Sequence, residues 1–169
     1  MTKLLLSTAL LIAFAGAARA QSPITDTFEV RMDVVGTCSV LTATDIDFGT
    51  QVSTAGTRDQ QGTISVQCTK DTPFTLGLDG GTTTGQVNAR AMTNTPIAPA
   101  QPVQIAYSLS RDAFGGSAWG NDSGNWYEGR GAGLGSAYAI NIDVYGRATL
   151  VGNEPAGTYR DTVTATLTY

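Results

Sequence analysis

Beyond residue 20 this chain alternates apolar and polar residues with a period of two, and no long i, i+3, i+4, i+7 apolar stripe follows. Such alternation sends successive side chains to opposite faces of a strand, one face for a core and one for water. In Thr27 to Val35, residues Phe28, Val30, Met32 and Val34 share one face, and Thr27, Glu29, Arg31 and Asp33 share the other. Ile64, Val66 and Cys68 form a second apolar face. Phe74, Leu76 and Leu78 form a third, which stops at Asp79-Gly80-Gly81. A weak strand is expected over Gln86 to Met92, then one carrying Val103, Ile105, Tyr107 and Leu109, and a strong one carrying Tyr138, Ile140, Ile142 and Val144. In the last segment, Thr158 to Tyr169, Val163, Ala165, Leu167 and Tyr169 alternate with Thr162, Thr164, Thr166 and Thr168. Short strands separated by turn residues predict an all-β sandwich.

Two features strain a self-contained sandwich. The last strand is regular enough that it should be paired on both sides. The body after Cys38 supplies about six strands, whereas an immunoglobulin-like sandwich uses seven or more. The spare alternating strand precedes Cys38. The glycine-rich stretch Gly115 to Gly135, with Trp119, Asn121, Asn125 and Trp126, reads as a long hairpin loop or irregular edge.

The first twenty residues have a different character. Lys3 opens a short positive start, Leu4 to Ala18 is apolar or small, and Ala18-Arg19-Ala20 has the small-x-small form of a cleavage site. We read 1–20 as a secretory signal peptide cut before Gln21. Its apolar run is short for a membrane span. Losing Lys3 and Arg19 shifts the formal net charge from −4 to −6. That acidity, with no basic stripe, argues against nucleic acid as a partner. Cys38 and Cys68 are the chain's two cysteines, and in an exported protein an isolated pair is most simply a disulfide.

Catalytic and metal constellations are missing. The chain has no histidine, so no Ser-His-Asp triad, Cys-His pair or imidazole base is available. Asp45 and Asp47 share one strand face and read as solvated charges beside a turn rather than as a calcium pair or carboxylate dyad. Gly115 to Trp119 lacks the second glycine of GxSxG, and Gly131, Gly133 and Gly135 do not satisfy GxGxxG. We therefore expect no catalytic, cofactor-binding or metal residues. Trp119 and Trp126 are either loop anchors or a carbohydrate-binding patch, with the anchor reading favoured. Arg147 and Arg160 are expected to pair with acids.

An ordered set of segments resembles the spore coat protein U domain family, which includes subunits of archaic (Csu-type) chaperone–usher pili. The set begins with Phe28 to Val35, Gly36-Thr-Cys38-Ser-Val40 and Ile46-Asp-Phe48-Gly49-Thr50. It continues through Gly62 to Cys68, Thr75 to Gly81, Ile105 to Asp112, Trp119-Gly120 and Val144 to Arg147, and ends with Gly157 to Tyr169. The resemblance implies an incomplete immunoglobulin-like sandwich, completed by a donor strand from a neighbouring subunit. It divides the chain into a signal peptide (1–20), an N-terminal donor-strand extension (21–37) and a pilin domain (38–169). Phe28, Val30, Met32 and Val34 would be the donor residues. Val163, Ala165, Leu167 and Tyr169 would line one edge of the acceptor groove, with the other edge near Leu41 to Phe48. Cys38 and Cys68 match the family's disulfide. The implied partners are other pilin subunits, a periplasmic chaperone and an outer-membrane usher. The implied role is a surface fimbrium supporting adhesion and biofilm formation. The rival readings are a self-complemented secreted coat or matrix protein, and a small exported binding module built on Trp119 and Trp126.

Overall fold

The computed structural model describes residues 22–94 and 103–169. The segment read as a signal peptide, residues 1–20, lies outside the described residues. The chain divides into residues up to Asp33 and a body, Val34–Tyr169.

The body is a two-sheet, all-antiparallel sandwich. Its strands are β1 (Cys38–Ala43), β2 (Gly56–Cys68), β3 (Pro73–Leu78), β4 (Ala91–Asn94), β5 (Gln104–Ser110), β6 (Tyr127–Arg130), β7 (Ile140–Leu150), β8 (Tyr159–Arg160) and β9 (Ala165–Thr168). Six of them form a sheet in the order β1-β2-β7-β5-β4-β8, and three form a second in the order β6-β3-β9. The long β2–β7 pair runs in register from Gly56↔Leu150 to Val66↔Ile140 and is the spine of the larger sheet.

Period-two alternation fills the space between the sheets. Ile64, Val66, Cys68, Phe74, Leu76, Leu78, Leu109, Ile142 and Val144 form one buried cluster, and these are mostly the faces expected from sequence. Trp119 joins them with no exposed surface. Its Nε1 donates to the Leu76 carbonyl (2.9 Å) and its backbone N–H to that of Leu109 (2.8 Å), so one residue links the two sheets. That settles its role as an anchor. Trp126 is half-buried and donates to Glu128 Oε1 at 2.9 Å.

Cys38 and Cys68 stand directly opposite each other across β1 and β2 and form a disulfide. Arg147 sits opposite Asp59 on the β2–β7 pair and donates to both carboxylate oxygens, at 2.6 and 2.7 Å. Arg160 has no acidic partner among the described residues, contrary to expectation.

Several sequence expectations need correction. Thr27 to Val35 has no strand pairing, because a strand exists only where another edge satisfies its backbone. Val87–Ala89 is a 3-10 turn and only Ala91–Asn94 is strand, so the strand expected over Gln86 to Met92 is largely displaced. Tyr138 lies in another 3-10 turn and is 54% exposed, out of step with Ile140, Ile142 and Val144. Of the two readings of Gly115 to Gly135, the edge is the one found, since the stretch contains β6, the outer strand of the smaller sheet, paired with β3. The final segment is two short strands in different sheets rather than one, and each is paired on one side only.

The disulfide closes a loop with a sequence separation of 30. Replacing Cys38 and Cys68 by Ser should therefore lower unfolding stability by about 3–4 kcal/mol on the chain-entropy account. Urea unfolding of the oxidised protein and the double variant measures this. Equal midpoints would contradict it.

Candidate functional site

The two sheets end on the same segment. β8 is the outer strand of the larger sheet and pairs only with β4, through Thr93↔Arg160 and Asn94↔Tyr159. β9 is the outer strand of the smaller sheet and pairs only with β3, from Thr75↔Thr168 to Leu78↔Ala165. The chain crosses between sheets over Asp161 to Thr164, so Tyr159 to Thr168 presents the free edge of both. Beside it runs an open groove of about 580 Å³. One lip is Ala43 to Phe48 and the other Thr158 to Ala165, and Ile64, Leu78, Leu109 and Val144 of the core lie on its floor. A second hollow of about 760 Å³ continues it past Phe48 and Tyr159 onto Met92, Ile105 and Leu150.

The crossing is held by polar contacts that sequence patterning did not reveal. Asp161 Oδ1 accepts from Thr82 Oγ1 and from Thr83 N and Oγ1, each at 2.9 Å, and Asp161 Oδ2 accepts from the Tyr107 hydroxyl at 2.6 Å. Burial pushes the Asp161 carboxyl up, but these bonds outweigh it and hold it below its ordinary value. Burial and the same carboxylate push the Tyr107 hydroxyl above its usual range. Asp79 repeats the device one turn on, accepting from Thr164 N at 2.9 Å and Gly81 N at 3.0 Å. Gly81 has φ +74°, and a Cβ there would lie 2.0 Å from Asp161 Oδ2, so both conformation and space demand glycine. Arg90, almost fully buried, donates to the carbonyls of Leu78 (3.1 Å), Asp79 (2.9 Å) and Trp119 (2.8 Å), tying β3 to the Trp119 loop beneath the crossing.

The opposite lip is held by packing. After Thr44 it makes no ladder, yet Ile46 lies in a trough over Gly62 of β2 and Gly146 of β7. A Cβ at either glycine would stand 2.9 Å from an Ile46 side-chain carbon. Two glycines on neighbouring strands thus seat one isoleucine and set the groove's width.

Of the groove-edge residues expected from sequence, Val163, Ala165 and Leu167 are half-buried and pack against the core cluster. Tyr169 is 61% exposed and lies by Phe74, Gly129 and Arg130, away from the groove. Phe28, Val30, Met32 and Val34 are 77–87% exposed. Asp45 and Asp47 are both exposed and Asp47 accepts only a turn bond from Gly49 N, as befits solvated charges. Among the described residues no three His, Cys, Asp or Glu side chains converge on a metal-sized space, and no helix is long and apolar enough to cross a membrane.

The spore coat protein U domain model matches residues 24–166. The chain belongs to the spore coat protein U domain family. Protein U of Myxococcus xanthus is 33% identical over 173 residues, covering 94% of this chain and 91% of that protein. A chain of the CsuC–CsuE chaperone–tip adhesion subunit pre-assembly complex, from archaic chaperone-usher Csu pili of Acinetobacter baumannii, matches with a TM-score of 0.52 at 25% identity. The match covers 80% of this chain and 40% of that one, so this spore coat protein U domain spans less than half of its solved relative. The fold is immunoglobulin-like and all-β. The family match starts at residue 24, inside the exposed extension.

Gly62→Val should lower unfolding stability by about 1–3 kcal/mol by lifting Ile46 off its seat, although valine is the better strand former. A urea midpoint equal to or above wild type would show that Ile46 does not hold the lip.

Proposed function

We propose that this protein is a structural, non-catalytic subunit of a chaperone–usher surface pilus, assembled by donation of one subunit's N-terminal extension to the groove of the next. The observation that carries this reading is the coincidence of two unpaired sheet edges on Tyr159 to Thr168 with an open groove reaching the core. A strand laid there would satisfy both edges and cover the floor together.

Dimensions support it. The lip from Thr158 to Ala165 extends roughly 26 Å at about 3.3 Å per residue, and Phe28 to Val34 roughly 23 Å. Seating Phe28, Val30, Met32 and Val34 at about 1.5–3 kcal/mol each would contribute about 6–12 kcal/mol, an upper figure from which association and ordering costs subtract. A one-residue slip would turn Glu29, Arg31 and Asp33 inward, which excludes every odd register. The joint is head to tail, so it builds an open fibre. Backbone ladders would supply affinity and alternate side chains the selectivity, as in other strand-addition interfaces.

Partners follow from the same need. A subunit with an open groove requires a temporary occupant during export, the role of a periplasmic chaperone, before an outer-membrane usher presents the next extension. The relative in a chaperone–subunit pre-assembly complex supports this. In this reading residues 1–20 direct export, residues 21–37 are donated, residues 38–169 form the pilin domain, and the fimbrium serves adhesion and biofilm formation.

The test is a denaturing gel of purified mature protein, unboiled and boiled. The wild type should give a ladder that collapses to monomer on boiling. Met32→Asp, which places a charge in the joint, should reduce that ladder at least tenfold while leaving the unfolding midpoint of the body unchanged. A monomer band alone from the wild type, or an undiminished ladder from Met32→Asp, would refute donation.

A further inference from the structure

The larger sheet ends on β1 and β8, and the smaller on β9 and β6. β6 (Tyr127–Arg130) pairs only with β3, and its other side has no strand partner among the described residues. It lies across the smaller sheet from β9, so the groove and its lips do not involve it.

The neighbouring bonds show which backbone groups face outward. Gly131 donates its N–H to the Thr72 carbonyl and accepts from Asp71 N, both at 2.8 Å, so its polar groups point toward β3. These directions alternate along a strand. Tyr127 and Gly129 therefore also face β3, while Glu128 and Arg130 aim their N–H and C=O groups away from it. The next outward carbonyl, that of Trp126, already accepts from Arg111. The free edge is thus short and centred on Gly129.

Charges on a short edge usually keep other strands away. Here the pattern spares one partner, a second copy of the same edge. An antiparallel pair matches outward-facing residues with outward-facing residues, so a two-fold axis falls on a residue and never between two. With the axis at Gly129, Glu128 of each copy meets Arg130 of the other. With the axis at Glu128, two glutamates face each other, and with it at Arg130, two arginines do. Opposite charges directly across a ladder stabilise it and like charges oppose it, so one register is favoured and both of its neighbours are not. The pair at the axis is the narrow, non-hydrogen-bonded kind, where side chains stand closest, and glycine occupies it.

The two side chains are already extended on the outer face. Glu128 Oε1 accepts from Trp126 Nε1 at 2.9 Å, and Arg130 Nη1 donates to the Asp71 carbonyl at 3.2 Å. Both residues are exposed, and neither has an ion-pair partner among the described residues.

We propose that β6 docks antiparallel against β6 of a second copy of this chain, with the two-fold axis at Gly129 and a Glu128–Arg130 pair on each side of it. The smaller sheet then runs from one copy into the other. This interface is separate from the groove and does not depend on strand donation.

Sedimentation velocity tests it on the mature Met32→Asp protein, using the fraction that runs as monomer on the unboiled gel, so donated joints do not contribute. At concentrations rising to about 0.5 mM, this protein should shift from monomer to dimer. Glu128→Arg and Arg130→Glu set like charges across the axis, and each should dimerise at least about fivefold more weakly. Mixed in equal amounts, these two variants should dimerise to within about twofold of the parent, because one carries only bases at the two positions and the other only acids. In 1 M NaCl, where the Debye length is about 3 Å, the differences should shrink. Matching urea midpoints confirm intact bodies. A parent that stays monomeric throughout, single variants that dimerise as well as the parent, or a mixture no better than its components would overturn the assignment and leave strand donation untouched.

Discussion

Backbone pairing at sheet edges is the constraint on which this structure turns. Every strand needs partners for its N–H and C=O groups, and an open edge beside an uncovered core is unfavourable twice, once for polar groups and once for apolar surface. Here both deficits fall on one segment. Tyr159 to Thr168 leaves the larger sheet at β8 and enters the smaller at β9, and its free side borders a groove floored by Ile64, Leu78, Leu109 and Val144. The rest of the body keeps that opening in shape. Asp79 and Asp161 hold the crossing, Ile46 seated over Gly62 and Gly146 holds the opposite lip, and Trp119 and Arg90 brace the sheets beneath.

The shape of the opening matters to the proposed donation. A groove that collapsed would bury its own floor and, in that reading, refuse a strand. The polar latches resist collapse because closing the groove would strip partners from Asp161 and Tyr107, a cost that apolar contact alone does not offset. Polar side chains here hold backbone in place, and the chain has no histidine to move a proton near neutral pH.

Much of the fold was legible in the sequence, because strands that face a core on one side alternate visibly. Ile64, Val66, Cys68, Phe74, Leu76, Leu78, Ile142 and Val144 are buried as their spacing requires, and Ile140 is half-buried. What was not legible depends on partners distant in sequence. The split of Thr158 to Tyr169 between two sheets is invisible to a period-two pattern, since alternation survives across the Asp161 latch. Ile46 looked like one more strand residue, although its role depends on two glycines in β2 and β7. Trp119 read as a loop anchor, but its partners, the core cluster around it and the Leu76 carbonyl that accepts from its Nε1, are distant in sequence. The strand read at Thr27 to Val35 carries the right alternation, but pairing is a property of two segments, and pattern shows only one.

The central claim is that Tyr159 to Thr168 and Thr27 to Val35 become partners across a joint between molecules. Hydrogen exchange, followed by mass spectrometry on monomer and on assembled polymer, reads this directly from the backbone. The account predicts slowed exchange on assembly in Thr27 to Val35 and in Tyr159 to Thr168 together, with β2 and β7 protected alike in both states. Polymer in which either segment exchanges as fast as in the monomer would contradict it.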